Sequence, residues 1–117
     1  MKIIRFRAGV TGLYALPGEC PERELEELLG GETEMVPIAR RLALVVRRDG
    51  EEERLPILYT LHRLGREPAP IPGECAVVVT APDGRLMDAT HRDMSAAEQC
   101  IRTVGREERS ASWRNTG

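Results

Sequence analysis

Residues Leu42-Ala43-Leu44-Val45-Val46 leave water no face to occupy. In an extended chain successive side chains point to opposite sides. Leu42, Leu44 and Val46 therefore share one apolar face while Ala43 and Val45 line the other. Such a strand is central in its sheet or covered on both sides. The continuous run Ala76-Val77-Val78-Val79-Thr80 predicts a second buried strand of the same kind.

The rest of the chain is arranged around these two segments. Lys2 to Ala8 alternates, with Ile4 and Phe6 on one face and Arg5 and Arg7 on the other, and Leu13 to Leu16 reads as the returning arm of a hairpin. A helix follows from Pro21, whose missing N–H costs nothing at a first helical position. Leu25, Leu28 and Leu29 form its stripe, and Gly30-Gly31 ends it. Thr33 to Ile38 is a strand that turns through Ala39-Arg40-Arg41 into Leu42 to Arg47. Asp49-Gly50 is the strongest hairpin signal and predicts a polar edge strand over Glu51 to Leu55, open to strand addition. Apolar residues at 57, 58, 61 and 64 predict a short helix over Ile57 to Leu64, closed by Gly65. Three prolines make Arg66 to Gly73 a loop, and Arg85 to Asp88 is a short return strand. The last helix has two capping-box starts, Thr90-x-x-Asp93 and the better-matching Ser95-x-x-Glu98. Its stripe is Ala97, Cys100, Ile101 and Val104. The expected fold class is α+β, a mostly antiparallel sheet with two main helices and one short helix, in the order β-β-α-β-β-β-α-β-β-α. Residues 1–105 form the single domain. The charged segment 106–117, with Trp113 its only large apolar group, is expected to fray.

Composition removes several function classes. With 117 residues the chain suits one domain. Seventeen basic against nineteen acidic residues give a net charge of −2, far from the strongly basic balance of a protein that coats nucleic acid. Three separated cysteines, Cys20, Cys75 and Cys100, make no disulfide framework and fit a reduced, cytoplasmic chain. Neither His62 nor His91 has a ligand-type neighbour at metal spacing. No metal, cofactor or membrane association is expected. The glycine-rich phosphate motifs and the His-Glu-x-x-His motif are absent. Cys75 with His91 has the residue types of a thiolate pair, but Cys75 precedes a buried strand, where a thiol acts as a small hydrophobe. Glu26 and Glu27 lie on a solvated helix face, where nothing raises a carboxyl pKa. The chain is expected not to be an enzyme and to have no catalytic residues.

Charge is nevertheless segregated. Glu19 to Glu34 holds seven acids against the single Arg23, whereas the charged residues of 2–7 and 40–48 are all basic. Such polarity steers a partner or supports self-association. All basic residues but Lys2 are arginines, a usage that fits a GC-rich genome as well as guanidinium recognition of carboxylate or phosphate. Arg40, Arg41, Arg47 and Arg48 are the candidate interaction surface, although the two pairs stand at opposite ends of one strand, roughly 20 Å apart. The leading expectation is contact with a protein partner. The alternative is nucleic-acid binding through surface arginines, joined by Arg5 and Arg7, for which stacking aromatics are scarce.

Leu25-Glu26-Glu27-Leu28-Leu29-Gly30-Gly31 followed by Thr33-Glu34-Met35-Val36-Pro37-Ile38 resembles a signature of the DUF3846 family. So do the valine-rich strand before Asp49-Gly50, Leu55-Pro56, and Ile71-Pro72-Gly73 leading into Ala76-Val77-Val78-Val79. The likeness runs over about residues 1–104. It departs from the family at Glu32-Thr33, where an aromatic is common, and at Ile57-Leu58-Tyr59, where an asparagine often follows Leu-Pro. The resemblance implies an accessory protein of a phage or conjugative element, and no activity, cofactor or catalytic residue.

Overall fold

The computed structural model of the chain describes residues 1–7 and 10–104. The segment 106–117, including Trp113, lies outside them. Among the described residues nine strands and two helices follow one another: β1 (Lys2–Arg7), β2 (Val10–Ala15), α1 (Pro21–Leu29), β3 (Thr33–Pro37), β4 (Leu42–Arg47), β5 (Ile57–Leu61), β6 (Ala69–Pro72), β7 (Cys75–Thr80), β8 (Leu86–Met87), α2 (His91–Cys100) and β9 (Ile101–Thr103). The fold is α+β, and every strand pairing is antiparallel.

The larger sheet runs β2-β1-β7-β4-β3, with β8 continuing the row of β1 along β7. The two runs without a polar face, β4 and β7, are neighbours in its middle, Leu44 opposite Val77 and Val45 opposite Ala76. Alternation divides their side chains between two cores. Ala43, Val45, Ala76 and Val78 meet Leu25 and Leu29 of α1. Leu42, Leu44, Val46, Cys75, Val77 and Val79 meet the smaller sheet, β6-β5-β9, together with Ala97 of α2. Helix, sheet and second sheet thus form three layers. Each buried valine or leucine contributes roughly 1.5–3 kcal/mol relative to exposure, so the middle layer supplies much of the stabilisation. Phe6 and Tyr59 tie the sheets together edge to face, ring centroids 5.8 Å apart.

α1 begins at Pro21 and ends at Gly30, whose φ of 86° is the left-handed cap that a glycine adopts without strain. Gly31 is needed for another reason. A Cβ there would stand 3.0 Å from Nε of Arg47, so the missing side chain lets that guanidinium lie against the end of the helix.

Five expectations are corrected. Glu51 to Leu55 is not a strand: Glu53 N donates to Asp49 O at 2.9 Å and Leu55 N to Gly50 O at 3.1 Å, which curl the segment into successive turns. The run Glu51-Glu52-Glu53 offers no alternating apolar residue that a strand could bury. Ile57 to Leu64 is not a helix. Its period is two, with Tyr59 and Leu61 buried while Leu64 is fully exposed, and β5 is held from both sides by β6 and β9. The proline-rich stretch 66–73 is not all loop, because Ala69–Pro72 forms β6. Pro70 and Pro72 are tolerated there since β6 is an edge and one of its sides needs no N–H donors. α2 starts at Thr90 rather than Ser95. Thr90 Oγ1 accepts from Asp93 N at 3.2 Å, and an Asp93 carboxylate oxygen accepts from Thr90 N at 2.9 Å. That earlier start brings Met94 as well as Ala97 against the core. The helix also stops at Cys100, and Ile101 reaches the core from β9 instead, opposite Leu61. The short third helix is therefore absent from the described residues, and strands stand in its place and after α2.

Candidate functional site

The four arginines singled out from the sequence do not form one surface. Arg40 and Arg41 occupy the turn between β3 and β4 and are exposed. Arg47 and Arg48 lie at the far end of β4, a strand of six residues, so the pairs are separated by roughly 20 Å of strand. Arg47 is held by Asp49 through two parallel bonds, Nε to Oδ1 and Nη2 to Oδ2, both 3.0 Å. Arg47 is 18% exposed at its side chain. This bidentate hydrogen bonding holds the Asp49 carboxyl below its ordinary value. Arg48 is exposed, donating to Glu32 at 3.3 Å and to the Thr33 carbonyl at 3.4 Å.

Beside Arg48 the two sheets part. β3 is the outer strand of the larger sheet and β6 that of the smaller, and between them opens a cleft of about 360 Å³. Its floor is apolar: Val36, Leu44 and Val46 from one sheet, Leu61 and Ile71 from the other. Among the charged residues lining it are Glu34, Glu51, Glu52, Arg48 and Arg63. Glu34, Glu51 and Glu52 have no ion-pair partner among the described residues. Arg63 follows Tyr59 and Leu61 in the same alternation, and its buried Nε has no hydrogen-bond partner among the described residues. An apolar floor bordered by three carboxylates of this kind is suited to holding an extended polar-and-apolar segment.

The seam was not singled out from the sequence. A helical reading of 57–64 hides the period-two series Tyr59, Leu61, Arg63 that carries an arginine to the inner side, and a strand reading of 51–55 scatters the glutamates that the turn gathers.

The cysteine–histidine pair is not assembled. Cys75 is fully buried on β7, where burial, and then the Glu74 carboxylate, push its thiol up to about 12. His91 is exposed at the start of α2. Glu26 is half-buried and Glu27 exposed on α1. Among the described residues no three His, Cys, Asp or Glu side chains are grouped to hold a metal ion, and no helix is long and apolar enough to cross a membrane. Compared with known proteins, the chain matches no family model, no curated protein and no solved structure.

Proposed function

We propose that this chain is a non-enzymatic accessory protein that works by protein contact, receiving an extended segment of a partner in the seam between β3 and β6. One observation carries the reading: an open, apolar-floored cleft whose rim glutamates, Glu34, Glu51 and Glu52, have no ion-pair partner among the described residues. Charges of that kind select a segment with basic side chains beside apolar ones. A phage or conjugative-element setting is drawn from the resemblance of residues 1–104 to the DUF3846 family. The alternative of nucleic-acid binding through Arg40, Arg41, Arg47 and Arg48 is weakened by the engagement of Arg47 with Asp49 and of Arg48 with Glu32.

The test compares the chain with a Glu34→Lys/Glu52→Lys variant, both immobilised and exposed to lysate of a bacterial host. A partner held by the unaltered chain is lost from the variant, while the two melt at the same temperature. Retention of the same partner by both rejects the seam. A nucleotide or metabolite that raises the melting temperature by several degrees rejects the non-enzymatic reading.

A further inference from the structure

Sheet edges expose unpaired N–H and C=O groups, and folded proteins blunt them with charge, proline or brevity. Three of the four long-sheet and short-sheet edges here are blunted in this way. β3 carries Glu34 and ends in Pro37; β6 holds Pro70 and Pro72; β9 is three residues long and includes Arg102. β2 is the exception. Its six residues, Val-Thr-Gly-Leu-Tyr-Ala, contain no charge and no proline, and pair with β1 in unbroken register. Leu16 N donates to Met1 O at 2.7 Å, which fixes the alternation. Tyr14, Gly12 and Val10 turn their backbone groups to β1, and those of Thr11, Leu13 and Ala15 point outward. Val10 is 70% exposed. A Cβ on Gly12 would meet nothing within 4 Å, so among the described residues the α1 side of the strand is open at its middle.

We infer that β2 is a self-association edge, at which two copies of this chain pair antiparallel about a twofold axis and join their larger sheets into one. Charge selects a second copy in this orientation. Ile3 pairs with Tyr14, and Arg5 and Arg7 lie on the same side of the sheet as Ile3, the side that carries α1. At the Val10 end of β2 that side is basic, with Arg5 and Arg7; at the Tyr14 end it is acidic, with Glu24 and Glu27 beside Tyr14. Arg5 lies over the Tyr14 ring at 5.0 Å. Arg7 and Glu27 are exposed and have no ion-pair partner among the described residues. Antiparallel pairing sets the basic end of one copy against the acidic end of the other, twice by symmetry. The polarity noted in the sequence between residues 2–7 and 19–34 thereby acquires a use. This edge is remote in the sheet order from the seam beside β3, so the inference stands apart from the proposed partner site.

The experiment is sedimentation equilibrium of the full chain over a wide concentration range. The unaltered chain sediments as a dimer that dissociates on dilution. Thr11→Pro removes one outward N–H and no bond to β1, as prolines in edge strands do; it abolishes the dimer and leaves the far-ultraviolet circular dichroism of the monomer unchanged. Ala15→Pro removes another outward N–H, at an exposed residue, does the same and guards against a folding defect particular to position 11. Arg7→Glu and Glu27→Arg each weaken association by roughly tenfold, as two symmetric exposed ion pairs allow, and the double variant restores it. A chain that is monomeric at every concentration overturns the inference, as does a dimer indifferent to Thr11→Pro and Ala15→Pro. A monomer that captures a foreign strand at β2 overturns the assignment of a second copy as the occupant.

Discussion

Ionising Cys75 by raising the pH perturbs the packing between the two sheets without altering a residue. The thiol is fully buried between Phe6, Tyr59 and its strand neighbours, and its pKa rises from 9.0 to about 12. Three units amount to about 4 kcal/mol, at ~1.4 kcal/mol for each. In the unfolded chain the same thiol ionises near its ordinary value. Because the folded pKa is the higher one, the folded state is undiminished below pH 9.0 and loses stability as the pH climbs toward about 12. At pH ~11 the loss is about 3 kcal/mol. Other groups titrate in that range, so the measurement is a difference: urea unfolding of the Cys20→Ser/Cys100→Ser chain against the same chain carrying Cys75→Ala. At pH ~8 the alanine variant is the less stable of the two, and the difference shifts by about 3 kcal/mol in its favour between pH ~8 and pH ~11. A thiol reagent reads the same site independently. At pH ~8 it labels the native thiol about a thousandfold more slowly than the unfolded one. A gap that stays constant with pH, or native labelling as fast as that of an unfolded peptide, refutes the reasoning and returns Cys75 to the roster of reactive groups.

Two further outcomes check the account of α2 and of the arginines. Thr90→Ala removes the hydroxyl that caps α2 and costs about 1 kcal/mol of unfolding free energy, whereas Ser95→Ala stays within about 0.5 kcal/mol; equal losses in urea titrations contradict the observed helix start. In a gel-shift assay at ~50 mM salt the chain leaves duplex and single-stranded DNA unshifted, since Arg47 and Arg48 are already engaged by Asp49 and Glu32. A strong shift that fades by about 200 mM salt favours the nucleic-acid alternative instead.

What the sequence disclosed about the fold depended on how many neighbours a segment needs in order to declare its shape. β4 and β7 were legible because both of their faces are apolar, a pattern that only a covered strand satisfies. α1 was legible because Pro21, the leucine stripe and Gly30 are all local signals. The segment 57–61 was not, since apolar residues at 57, 58 and 61 fit a helical stripe as well as a strand; the tie is broken by hydrogen bonds to β6 and β9, distant in the sequence. β6 was masked by its own prolines, whose meaning changes once the segment is known to be an edge. The seam was the least legible feature. Glu34, Glu51, Glu52 and Arg63 have no common spacing, and only the divergence of two sheets brings them to one rim.

The position of β7 has a consequence for how the chain comes to be folded. Its residues, 75–80, separate β1 from β4 in the sheet, so the β1–β2 and β3–β4 hairpins touch no common strand until two thirds of the polypeptide has been made. Until then each hairpin carries a bare apolar margin; contacts spanning roughly thirty-five residues cover that of β4, and contacts spanning some seventy must close before that of β1 is covered. Acquisition of the native state should accordingly be slow for a chain of this size and vulnerable to aggregation midway through synthesis. A polypeptide ending before Cys75 is two unjoined halves rather than a smaller version of the same protein.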